Sequence, residues 1–255
     1  MRILLIRHAE PAYENDSLTE KGRREAQLLG EYLKNTEIDH FYTSPMGRAR
    51  ETMEYVLRAK GLKEYKVLDW VHEFENVVDK DNDELIHAYA EVNMGDDGRI
   101  YPRVAWDMYP GAVTPEYLDA VGWRNTAVAG HSEIVPQYDY VTEQFDKVLA
   151  EHGYVRNGMV YNCEQGNHET IAIFCHFGVE SVLLSHLLNV SPFTLWQGTC
   201  ALPSSLTELV TEERQKGIAS FRCLRLGSLA HLDMGNEKPS FSARFCEVFE
   251  DKVRH

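Results

Sequence analysis

Arg2-Ile3-Leu4-Leu5-Ile6-Arg7-His8 carries a run of four aliphatic residues after Arg2 and ends in an arginine and a histidine. A continuous apolar run this short reads as a strand buried on both faces, as in the interior of a parallel sheet. Residues just past its carboxyl end then lie where open α/β sheets bind their ligands. Neutral imidazole is a competent nucleophile near pH 7, and an adjacent guanidinium can hold phosphate oxygens while blunting their repulsion of the attacker. Thr170-Ile171-Ala172-Ile173-Phe174-Cys175-His176 repeats this form later in the chain. A helix from Gly178 to Leu188 follows it, with Val179, Val182, Leu183 and Leu187 toward the core, and its free N–H groups suit an anion.

The segments between supply the partners. Leu18-Thr19-Glu20-Lys21-Gly22 opens a helix to about Lys34, capped by Thr19, with Ala26, Leu29, Gly30 and Leu33 at helical spacing. Ile38 to Thr43 reads as a second strand. Ser44-Pro45 starts a helix that stops near Gly61, with proline in the first turn where it is tolerated. Arg48 shares a helical face with Thr52 and looks toward the sheet, whereas Arg50 faces solvent. Val67-Leu68 is a short third strand, and a helix spans about Glu133 to His152. Ser205–Thr211 and Ala219–Leu226 alternate like a hairpin across Glu212–Gly217. Such alternating units predict an α/β protein: a three-layer α/β/α sandwich with a mostly parallel central sheet.

Composition narrows the function. The chain has 255 residues and a formal net charge of −14, which disfavours nucleic acid as a partner. From Glu75 to Glu133 twelve acids accompany four bases. The same stretch carries turn signals at Gly95–Gly98 and Tyr109–Gly111, interleaved with Tyr101, Trp106, Tyr109, Tyr117 and Trp123. So many aromatics indicate order, so we read about 75–132 as an inserted cap on a single domain spanning 1–255, its aromatics forming a small core of their own. Five cysteines without a CxxC pair read as reduced thiols. The absence of a signal-like leader and of any membrane-length apolar run suggests a cytoplasmic protein.

In order, Arg7-His8-Ala9, Leu18-Thr19-Glu20-Lys21-Gly22, Ser44…Arg48-Ala49…Thr52, His176-Phe177-Gly178 and His231-Leu232 resemble the motifs of the histidine phosphatase superfamily, which includes phosphoglycerate mutase. Two positions depart from its pattern. Ala9 stands for a glycine, and Phe177 for another, where it would narrow the pocket mouth or stack on a substrate. The resemblance places His231-Leu232 at the end of a late strand.

By this resemblance His8 attacks phosphorus and carries a phosphohistidine, while Arg7, Arg48 and His176 bind the phosphoryl oxygens, with Phe177 beside them. Glu73, in Val71-His72-Glu73, is the acid that protonates the leaving oxygen; Glu75 is its rival, and His72 is structural. No glycine-rich nucleotide loop and no carboxylate cluster for a metal is evident, so no cofactor is expected. The reading is a metal-independent phosphatase acting on a small phosphomonoester and releasing inorganic phosphate. A mutase and a non-catalytic phospho-ligand binder are the alternatives. A mutase must hold a bisphosphorylated intermediate, and the acids after His8 (Glu10, Glu14, Asp16) argue against that. The sequence leaves the oligomeric state open.

Overall fold

The computed structural model describes residues 1–76, 85, 88, 89 and 104–240. In chain order these form β1 (Arg2–Arg7), β2 (Pro11–Ala12), β3 (Ser17–Leu18), α1 (Glu20–Leu33), β4 (His40–Thr43), α2 (Gly47–Lys60) and β5 (Lys66–Val67). Then come α3 (Ile134–Glu151), β6 (Val155–Asn157), β7 (Val160–Asn162), β8 (Thr170–Cys175), α4 (Phe177–Leu188), α5 (Pro192–Gly198), β9 (Leu206–Gln215), β10 (Ile218–Ser228) and α6 (Ala230–Met234).

The fold is α/β, with helices flanking a large mixed sheet of strand order β5-β4-β8-β1-β9-β10-β7-β6. Strands β5, β4, β8 and β1 run parallel. The tail hairpin is longer than its alternation suggested, and it joins the sheet by pairing β9 antiparallel to β1. Every residue of β8 is buried, as are five of the six in β1, which explains their unbroken apolar runs. Leu4, Ile6, Ala172 and Phe174 face Leu29, Leu33, Met53, Val56 and Leu57 of α1 and α2. Thr19 caps α1 by accepting the Gly22 N–H at 3.0 Å, a contact worth about 1 kcal/mol.

Three expectations are corrected. Pro45 lies ahead of α2 instead of in its first turn, because Met46 is the N-cap in extended conformation. His231 and Leu232 belong to α6, since β10 ends at Ser228. The short strands β2, β3, β6 and β7 were not anticipated, being too brief for a periodic signal.

The chain divides into two compact units, Met1–Glu73 with Arg156–Glu180 and Cys200–His255, and Phe74–Val155 with Ser181–Thr199. The second takes in more than the stretch 75–132. Its aromatics build a core there: Trp123 packs on Tyr138 and Phe193, and Trp106 on Trp196. Tyr109 is exposed. The turn signal at Gly95–Gly98 and Tyr101 lie outside the described residues. No helix among the described residues is long and apolar enough to cross a membrane.

Candidate active site

Sheet register assembles the site within the first unit. Arg7 of β1 pairs with Cys175 of β8, and Thr43 of β4 with Phe174. The residues that follow, His8, His176 and Ser44, therefore leave the sheet at one edge. The rings of His8 and His176 lie 5.1 Å apart, centroid to centroid.

His8 is buried and held on both backbone sides: its N–H donates to Cys175 O at 3.0 Å, and its carbonyl accepts from Ser204 N at 3.0 Å. Its Nδ1 lies 2.7 Å from the Ala9 carbonyl, which can only accept, so Nδ1 carries the proton and Nε2 keeps its lone pair. Burial, then Arg7 and Arg48, hold the His8 pKa well below 6.5. The ring is accordingly neutral at pH 7. Ala9 does not adopt a positive φ, so its methyl group is tolerated where the resemblance has glycine.

Arg7 and Arg48 are both almost fully buried. Arg7 donates from Nη1 to the Ala201 carbonyl at 2.5 Å, and its guanidinium lies 5.6 Å from the centre of the Phe177 ring. Phe177 is itself buried, and its ring backs Arg7. Arg48 donates from Nη1 to Asp16 at 2.7 Å. Thr52, one turn on, donates to the Arg48 carbonyl at 2.8 Å and accepts the Ala9 N–H at 3.0 Å, which ties α2 to the loop after His8.

His176 has Nε2 at 2.7 Å from Ser44 Oγ, and that oxygen already accepts the Met46 N–H at 3.2 Å. With the Ser44 hydroxyl donating, the His176 proton sits on Nδ1. That atom, Arg7 Nε and Arg48 Nε are buried and have no hydrogen-bond partner among the described residues. Orphaned buried donors are rare in folded proteins, and a charged oxygen is the kind of group that would satisfy them.

Glu73 is half-buried, and its Oε1 accepts the Gly178 and Val179 N–H groups at 2.9 and 3.2 Å. The N-terminus of α4 thus orients this carboxyl. Glu75 is exposed and falls in the second unit. His72 is exposed, with Nδ1 at 2.8 Å from the Glu73 carbonyl. His231 is buried and reaches Ser204 Oγ at 2.9 Å, bracing the residue that holds the His8 carbonyl.

Sequence reasoning missed Glu180. It is buried in the first turn of α4, with the Thr207 hydroxyl nearby but neither carboxyl oxygen at full hydrogen-bonding geometry. Burial, reinforced by Glu73 and opposed by Thr207 and Arg7, pushes its pKa up to about 7. The available signal was a lone acid in the apolar run Val179–Leu188. The native state keeps this proton from the usual carboxylate range up to near pH 7, while the unfolded chain releases it. Stability therefore falls as pH rises through that window, by about 3 kcal/mol for this group. Glu180→Gln is expected to be the more stable protein at pH 8 and no more stable than wild type at pH 4.5. Urea unfolding at the two pH values checks this, and an equal difference at both would refute it. Glu25, also pushed up to about 7 by burial, adds a similar slope to both proteins.

Residues 3–94 match the family model of the histidine phosphatase superfamily, branch 1. The chain is 33% identical over 70 residues to the probable phosphoglycerate mutase GpmB of Photorhabdus laumondii, a match covering 24% of this chain and 33% of that relative. The fold resembles mycobacterial glucosyl-3-phosphoglycerate phosphatase in complex with inorganic phosphate, with a TM-score of 0.58 and 19% identity over 90% of this chain and 98% of that one. It also resembles a mutant phosphoserine phosphatase from Entamoeba histolytica bound to phosphoserine, with a TM-score of 0.55 and 16% identity over 91% and 98% of the two chains. The alpha-ribazole phosphatase of Shigella flexneri has a TM-score of 0.53 and 20% identity over 90% and 97%. With its motifs in order, a family model matched over residues 3–94 and a shared fold, the chain is similar to the histidine phosphatase superfamily.

Proposed function

We propose that the chain is a phosphatase that hydrolyses a small phosphomonoester through a phosphohistidine on His8. The observation that carries this reading is the set of three unpartnered buried donors, Arg7 Nε, Arg48 Nε and His176 Nδ1, beside the neutral His8 ring. In the first step Nε2 bonds to phosphorus as the ester P–O bond breaks, and Glu73 gives its proton to the leaving oxygen. In the second, water loses a proton to Glu73 as its oxygen bonds to phosphorus. The P–N bond then breaks, releasing inorganic phosphate and neutral His8. The two guanidinium groups neutralise the equatorial oxygens, so the reaction needs no metal ion.

The curated relative is a probable mutase, which makes phosphoryl transfer between two positions of one substrate the second reading. Hydrolysis is preferred because Glu10, Glu14 and Asp16 follow the nucleophile where a doubly phosphorylated intermediate would need bases. The structural neighbours point to sugar-acid, amino-acid and nucleoside-like monoesters as the first compounds to try. Release of phosphate from such a panel, with EDTA present throughout, tests the proposal. Turnover supports a metal-independent phosphatase, whereas phosphoryl exchange without net release would favour the mutase. A folded protein with neither activity would leave only a binding role.

A further inference from the structure

The loop between His8 and α1 lies along α2 and is stitched to it. Asp16 adopts the left-handed conformation, with φ 44° and ψ 47°. Its Oδ2 accepts the Gly47 N–H at 2.5 Å and its Oδ1 accepts from Arg48 Nη1 at 2.7 Å. Leu18 N then donates to Glu51 at 2.8 Å. The approach is close enough to require glycine at 47, where an added Cβ would sit 2.1 Å from the Asp16 carbonyl oxygen.

Asp16 takes only one nitrogen of Arg48. Nη2 has a single weak acceptor, the Met46 sulfur at 3.4 Å, and Nε has none. Nε and Nη2 make up one edge of the planar guanidinium, the edge that binds two oxygens of a phosphate or carboxylate at once. A carboxylate fixed on Nη1 leaves that edge open to a ligand and keeps the side chain from rotating. Asp16 is itself fixed by its backbone conformation and by Gly47. We propose that Asp16 is a positioning residue that holds Arg48 by Nη1 so that its Nε–Nη2 edge receives two oxygens of the phosphoryl group. The inference rests on the reading of this site as a phosphate pocket.

The test is the affinity for inorganic phosphate, followed by 31P NMR titration, of wild type, Asp16→Asn, Arg48→Ala and the double variant. Asparagine tolerates the left-handed backbone and retains an acceptor for Gly47, so the fold is preserved, and thermal unfolding verifies it. Asp16→Asn is expected to bind phosphate about tenfold more weakly than wild type, and to cause no further loss once Arg48 is alanine. An equal loss in both backgrounds would show that Asp16 only supports the loop, and unchanged affinity in Asp16→Asn would also overturn the proposal. Failure of wild type to bind phosphate would instead remove the phosphate pocket itself, and this inference with it.

Discussion

His8→Ala is expected to lower kcat on the order of 10⁴–10⁶-fold, the range seen when a covalent nucleophile is removed. The geometry leaves no substitute. His176, the nearest imidazole, has Nε2 engaged with Ser44, and its pKa is held well below 6.5 by burial, then by His8, Arg48 and Arg7. With the Ser44 hydroxyl donating, it presents an N–H to the site, which suits a phosphate ligand and not an attacker. Acid-labile phosphoenzyme, trapped by rapid quench in wild type, should be missing from the variant. The pH profile gives a second check. Protonation of His8 destroys its lone pair, and its lowered pKa places the acid limb of kcat/KM below pH 6.5. An acid limb at or above 6.5, or turnover by the variant within tenfold of wild type, would rule out His8 as the nucleophile.

Arg7→Ala should cost about 10²–10³-fold in kcat, the loss typical of removing one preorganised donor from a buried site. Arg7 is set by contacts that ask nothing of the substrate. The Ala201 carbonyl anchors Nη1, and the Phe177 ring backs the guanidinium. Nε is left buried without a partner among the described residues. Such a group is paid no reorganisation cost when charge develops on the transferring phosphoryl group. Lysine should not rescue it, because an ammonium lacks the planar fork. Steady-state kinetics at saturating substrate decide the matter. A rise in KM with kcat unchanged would mean that Arg7 binds substrate and transition state equally and contributes nothing to the chemical step.

Most of the candidate site residues could be named from the sequence because they occupy positions that local chemistry marks. His8 and His176 end unbroken apolar strands, and Arg48 shares a helical face with Thr52. Asp16 and Glu180 were not readable. Asp16 is one of several acids in a loop with no period, and its importance comes from Gly47 and Arg48, which are 31 and 32 residues away in the chain. Glu180 resembles any acid near the start of a helix until burial removes its solvent. That Arg7 lies over the Phe177 ring was likewise hidden, because the two residues are far apart in the chain.

The sequence by itself determined the buried strands, the two amphipathic helices packed on them and which side chains stand at the strand ends, since periodicity and strand ends are local properties. Tertiary structure alone decided that β8 lies between β4 and β1, which brings Ser44, His8 and His176 to one edge. It also decided which nitrogen of each arginine is spent on the protein and which is left for a ligand. Those outcomes depend on register and burial, which arise only when segments far apart in the chain pack together.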